Sequence, residues 1–156
     1  MSERLWVMEI KQFYREIVNE HNLHPMHKGR MEDPDLMLRG VNPSCGDDII
    51  LQLKLNGEII EDAMFIGTGC AISQASVDMM ADQIIGKTKE KALEMAQVFM
   101  GMIKGSITDE AELEVLDEAA ALQDVSHMPA RVKCAVLGWH TMQEILNNPE
   151  KSEKLS

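Results

Sequence analysis

The stretch Asn42-Pro43-Ser44-Cys45-Gly46-Asp47-Asp48 sets a thiol and a carboxylate two residues apart, with a glycine between them. Both side chains are metal ligands when ionised, and a thiolate is also a nucleophile. Two further cysteines follow. Cys70 ends the glycine-punctuated turn Gly67-Thr68-Gly69-Cys70, and Cys134 lies close to Arg131 and Lys133. Three thiolates and one carboxylate make a donor set that suits tetrahedral zinc. The same thiolates can hold an iron–sulfur cluster with aspartate as a labile fourth ligand. No C-x₂-C pair is present, which excludes an ordinary zinc ribbon. Three unrelated buried thiols are the competing reading. Of the three cysteines, Cys45 is the best candidate to leave a metal and attack a persulfide sulfur, because it lies in a loop beside Gly46. Cys70 and Cys134 are tied to helix starts.

These groups must be brought together by the intervening elements. Pro43 and Gly46 predict a bend with a strand beginning just after it, where residues two apart face one side. From Asp48 the pattern has period two, with Ile49, Leu51, Leu53 and Leu55 on one face and Gln52 and Lys54 on the other. Asn56-Gly57 is a hairpin signal, and the return strand runs to about Ile66. A two-residue Asn56-Gly57 turn pairs Lys54 with Ile59, Leu53 with Ile60 and Ile49 with Met64. It also sets Leu51 against Asp62, an awkward pair that points to a bulge. Extended further, this register sets Cys45 opposite Thr68 and Asp47 opposite Ile66. The hairpin thereby returns Cys70 to the neighbourhood of Cys45.

Helices are predicted over 5–19, 71–85, 89–103 and from Pro129 to about Leu146, with a short one capped by Thr108. The first carries the stripe Trp6, Ile10, Phe13 and Ile17. Cys70 falls at a helix N-terminus, where free N–H groups and the macrodipole favour a thiolate. In the last helix, Val132, Val136, Trp139 and Met142 are assigned to the buried face. His21, His24 and His27 lie in a loop with proline, glycine and charge. Partner contact suits it better than metal, because nothing fixes the geometry of the histidines. Leu36-Met37-Leu38 is expected to form a first short strand.

The chain is 156 residues long with 26 acidic and 15 basic residues, a net charge of −11. One domain of this size buries a substantial core. The acidic balance argues against nucleic-acid binding and against docking to an anionic membrane. No signal-peptide core and no span of ~20 apolar residues is seen, so a cytoplasmic location is expected. An odd cysteine count argues against a disulfide framework. The expected organisation is a single domain over 1–156, with an acidic inserted helical segment at 105–128, read as an added helix or lid, and a polar tail at 147–156.

Pro43-Ser44-Cys45-Gly46-Asp47, Gly67-Thr68-Gly69-Cys70-Ala71-Ile72-Ser73 and Arg131-Val132-Lys133-Cys134-Ala135, in this order, resemble the IscU/NifU-like iron–sulfur assembly family. The resemblance runs from about Phe13 to Leu146 and is nearest the SufU-type branch. Lys133 stands where scaffold-type members usually carry histidine, and 105–128 is similar to the extra stretch of SufU-type members. Ala130 replaces a serine often found before the arginine.

This resemblance implies an α+β fold, with a small antiparallel sheet of about three strands and helices packed against it. It implies Cys45, Asp47, Cys70 and Cys134 as zinc ligands, with Cys45 accepting persulfide sulfur from a SufS-type cysteine desulfurase. Arg131 matches a family arginine near the site that would steady a thiolate or dock the partner. As a sulfurtransferase or carrier, the protein is expected to have no turnover alone. The alternatives are a scaffold that assembles an iron–sulfur cluster on the same cysteines, and an adaptor whose zinc only holds the fold.

Overall fold

The computed structural model describes residues 15–153. Three antiparallel strands, β1 (Leu36–Asn42), β2 (Asp47–Asn56) and β3 (Ile59–Thr68), form a sheet in the order β1-β2-β3. The helical residues 15–23 (α1) precede it. After it come α2 (Ala71–Ile84), α3 (Lys89–Lys104), the short α4 (Glu110–Leu113), a 3₁₀ segment (Glu114–His127) and α5 (Pro129–Asn147). The expected α+β fold with about three strands is what the chain adopts. Of the predicted N-terminal stripe, Ile17 is buried, whereas Trp6, Ile10 and Phe13 lie outside the described residues.

Ile49, Leu51 and Leu53 of β2 are fully buried and face the helices. The hairpin turn is Gly57-Glu58, one residue later than predicted, so Asn56 pairs with Ile59 and Leu55 with Ile60. The expected bulge falls between Lys54 and Leu55 and shifts the register again. Leu51 then faces Phe65, and the awkward pairing with Asp62 disappears. Asp48, rather than Cys45, stands opposite Thr68. The consequence for the site survives: the end of β3 returns to the start of β2.

Both sheet edges are covered, which blunts edge-to-edge association. His27 and Gly29 exchange backbone hydrogen bonds with Phe65 on the β3 side. On the β1 side, the Glu153 N–H donates to the Met37 carbonyl and Ser152 Oγ accepts from the Met37 N–H. The histidine loop is thus a docked strand-like segment. Gln52 is buried on the outward face because it accepts from the Met31 N–H and donates to the Gly29 carbonyl.

The segment 105–128 is part of the core: Leu113, Leu116, Ala119, Leu122 and Val125 all join the main apolar cluster. The reading of this stretch as a lid is corrected by those contacts. Its short helix is capped by Asp109, which accepts from the Ala111 N–H, and not by Thr108. In α5 the buried face carries Cys134, Leu137, Trp139, Met142 and Ile145, while Val132 and Val136 are half-buried. Trp139 stacks on Phe99 of α3 with centroids 4.5 Å apart.

His21 ties three elements together. Its Nδ1 lies 2.6 Å from Asp78 Oδ2 in α2, and its Nε2 lies 2.7 Å from Glu118 Oε1 in the 3₁₀ segment. Burial alone would lower the His21 pKa, but the two carboxylates outweigh it and raise it above the ordinary 6.5. Both nitrogens then donate, and neither is a free metal ligand. A pKa raised on folding gives stability that is complete below the unfolded value and is lost as pH rises through the folded one. His21→Ala is therefore expected to cost about 2 kcal/mol at mildly acidic pH and less in alkaline solution. Urea denaturation at the two pH values checks this; an increasing cost with pH would contradict it.

Candidate metal centre

β1 and β2 are joined by the four-residue turn Pro43-Ser44-Cys45-Gly46, with Asn42 pairing with Asp47 across its base. Cys45 therefore sits on a turn rather than in the strand. It is half-buried, whereas Asp47 is fully buried. Cys134 reaches the same place from the second turn of α5 and has no exposed surface. The ligand atoms of Cys45, Asp47 and Cys134 all lie within 4.8 Å of one another.

Cys70 stands beside this triplet without belonging to it. It is the N-cap of α2, and its Sγ accepts from the Ser73 N–H at 3.4 Å. Its own N–H donates to Asp47 Oδ1 at 2.9 Å. It lies near enough to Cys134 to help raise that thiol's pKa. The hairpin thus brings the second cysteine to Asp47 and Cys134.

The backbone here leaves little room. Gly67 has φ of +128°, and a Cβ on it would come within 2.1 Å of the Asp48 carbonyl oxygen. A Cβ on Gly69 would come within 2.7 Å of Asp47 Oδ1. The two glycines let the β3–α2 junction close over the carboxylate. On the other side, Ser76 of α2 donates to the Ala135 carbonyl at 2.7 Å and accepts from Trp139 Nε1 at 3.2 Å. That pair of bonds fixes α5 against α2 next to Cys134.

The electrostatics suit a cation. Among the described residues, Asp47 Oδ2 is buried with no hydrogen-bond partner, an arrangement that costs on the order of 1–3 kcal/mol or more for a charged group. Burial, and then the crowding of Cys45, Asp47 and Cys70, push the Cys134 thiol well above the usual cysteine range. A metal dication would supply what both groups lack. Thiolate and carboxylate oxygen together fit zinc. Arg131 is exposed on the first turn of α5. Attraction to the Cys70 sulfur, and then to that of Cys134, raises its pKa. His21 and His27 play no part: His21 is held by Asp78 and Glu118, and His27 Nε2 lies 3.0 Å from Asp82.

The NifU-like N-terminal domain model matches residues 13–135. The chain belongs to this family. Among curated relatives, it is 43% identical over 131 residues to the zinc-dependent sulfurtransferase SufU of Bacillus subtilis, covering 84% of this chain and 87% of that protein. It is 36% identical over 148 residues to the iron–sulfur cluster assembly scaffold protein IscU of Streptococcus pyogenes, covering 95% and 91%. Among solved structures, a putative SUF-system assembly scaffold protein from Fervidobacterium islandicum superimposes with a TM-score of 0.80 at 38% identity, covering 86% of this chain and 97% of that one. The chain is thus a NifU-like member of the SufU/IscU group of iron–sulfur cluster assembly proteins. Among its described residues, no helix is long and apolar enough to cross a membrane.

Asn42 is the residue of this NifU-like site that the sequence reading passed over. It opens the motif, but an asparagine before proline reads as turn chemistry. In the fold it is buried, with Nδ2 3.9 Å from Cys134 Sγ.

Proposed function

We propose that this protein binds zinc through Cys45, Asp47, Cys70 and Cys134 and carries sulfur on Cys45. The sulfur comes from the persulfide of a SufS-type cysteine desulfurase. The observation that carries this reading is the buried, unpartnered Asp47 Oδ2 set among cysteine sulfurs. The name of the Bacillus subtilis relative, a zinc-dependent sulfurtransferase, supports it.

Bound zinc would keep its thiolate ligands deprotonated at neutral pH. The rest is the work of the chain. Cys134 and Asp47 are sealed from water, so they are suited to hold rather than react. Cys45 is half-exposed on a turn, where an incoming sulfur can reach it. Its thiolate attacks the outer sulfur of the donor persulfide. A Cys45 S–S bond forms, the donor S–S bond breaks, and the donor cysteine leaves as a thiolate. The persulfide proton stays with the transferred sulfur, and no external oxidant or reductant is needed. Four anionic ligands outweigh the charge of a dication, and Arg131 beside Cys70 and Cys134 offsets part of the excess.

Intact-mass spectrometry after incubation with desulfurase and cysteine tests the proposal. A gain of one sulfur mapped to Cys45 is expected. A stable sulfur on Cys70 or Cys134, or no gain at all, would overturn it.

Identity to the Streptococcus pyogenes scaffold protein supports a second reading, cluster assembly on the same donors. Anaerobic reconstitution that yields a stable chromophore, passed intact to an apo-ferredoxin, would favour it.

A further inference from the structure

Cys45 and Cys134 meet different surroundings, and Asn42 links them. Ser44 Oγ donates to Asn42 Oδ1 at 2.8 Å, which fixes the amide so that Nδ2 faces Cys134 Sγ at 3.9 Å. The Cys45 N–H donates to the Asn42 carbonyl at 3.2 Å, so the same residue closes the turn that carries Cys45. Cys70 Sγ receives the Ser73 N–H. Among the described residues, no N–H reaches Cys45 Sγ. Its partners are the Ala130 carbonyl and Ser44 Oγ, each at 3.9 Å. The Ser44 hydroxyl proton is already given to Asn42. Two oxygen lone pairs therefore face this sulfur.

An N–H directed at a thiolate draws off charge and weakens it as a nucleophile, while opposed lone pairs do the reverse. We propose that Asn42 is a positioning residue whose side-chain amide donates to the Cys134 sulfur, holding that thiolate as a quiet ligand and leaving Cys45 the electron-rich one. The inference rests on the metal reading above. It goes further by naming the residue that makes the three sulfurs unequal.

Cadmium in place of zinc gives a direct readout in the unmodified protein. In ¹¹³Cd-loaded, ¹⁵N-labelled protein, an Asn42 side-chain amide proton is expected to show scalar coupling to the metal through the Cys134 sulfur. Asn42→Asp keeps the shape and the acceptor for Ser44 but removes the donor. It is expected to lower zinc affinity about 10-fold in chelator competition and to shift the thiolate-to-cobalt charge-transfer band of the Co²⁺ form to lower energy. Ser44→Ala, at an exposed site, frees the amide and is expected to move the band less in the same direction. Cadmium bound by the cysteines without coupling to Asn42, or an unmoved cobalt band in both variants, would overturn the role of Asn42 alone. Failure of the unmodified protein to give any thiolate-to-metal band would remove the metal reading and this inference together.

Discussion

Cys45→Ala is expected to abolish sulfur acceptance and the stimulation of a cysteine desulfurase, with a loss on the order of 1,000-fold or more, as for removal of a nucleophile elsewhere. The variant should fold normally. Cys45 is half-exposed on a turn, and among the described residues its side chain makes hydrogen-bond contacts only to Ser44 and Ala130, each at 3.9 Å. The fold's apolar core lies elsewhere, in residues such as Leu51, Phe65, Phe99 and Trp139. Its metal-free stability should therefore lie within about 0.5 kcal/mol of the parent. Desulfurase assays with and without the variant, paired with urea denaturation, separate the two effects. Full stimulation by a folded Cys45→Ala protein would assign the role to another residue or to docking alone.

The second large effect is a change of sign at Asp47. Among the described residues its Oδ2 is a buried acceptor without a partner, and the carboxylate sits beside the Cys45 and Cys134 sulfurs with its other oxygen on the Cys70 N–H. Asp47→Asn neutralises it while keeping an oxygen for the Cys70 N–H. The metal-free variant is expected to be more stable than the parent by about 1–3 kcal/mol. With zinc the order reverses. Zinc about 1,000-fold above its Kd adds about 4 kcal/mol to the parent, or about 8–16 °C in Tm for a domain of this size. Most of that increment should be missing from the variant. Calorimetry of both proteins, with chelator and with zinc, checks the reversal; equal zinc increments would show that Asp47 is no ligand.

Much of this arrangement was legible in the sequence, for identifiable reasons. The period-two run from Ile49 to Leu55 and the glycine stop after α2 each reflect local chemistry, so strand and helix bounds fell within a few residues. Cys45, Asp47 and Cys134 could be grouped because three motifs occur in order, and the hairpin could be seen to return Cys70 to them. What escaped depends on long-range packing. The bulge at Lys54 and Leu55 sets Leu51 on Phe65, and no local rule ranks that register above its neighbours. The buried face of α5 was misplaced because α2 and α3 both pack on this helix, so burial wraps around more of it than one stripe. His21 pairs with Asp78 and Glu118 across separations of 57 and 97 residues; such pairing leaves no trace in spacing. The acidic composition of 105–128 suggests an added helix or lid, whereas Leu113, Leu116 and Leu122 join the main apolar cluster.

X-ray absorption at the zinc edge of the purified, zinc-loaded protein is the most direct test of the centre itself. Ligation by Cys45, Asp47, Cys70 and Cys134 predicts three sulfur neighbours at about 2.3 Å and one oxygen at about 2.0–2.2 Å. Zinc surrounded by nitrogen and oxygen alone, or by a single sulfur, would contradict it.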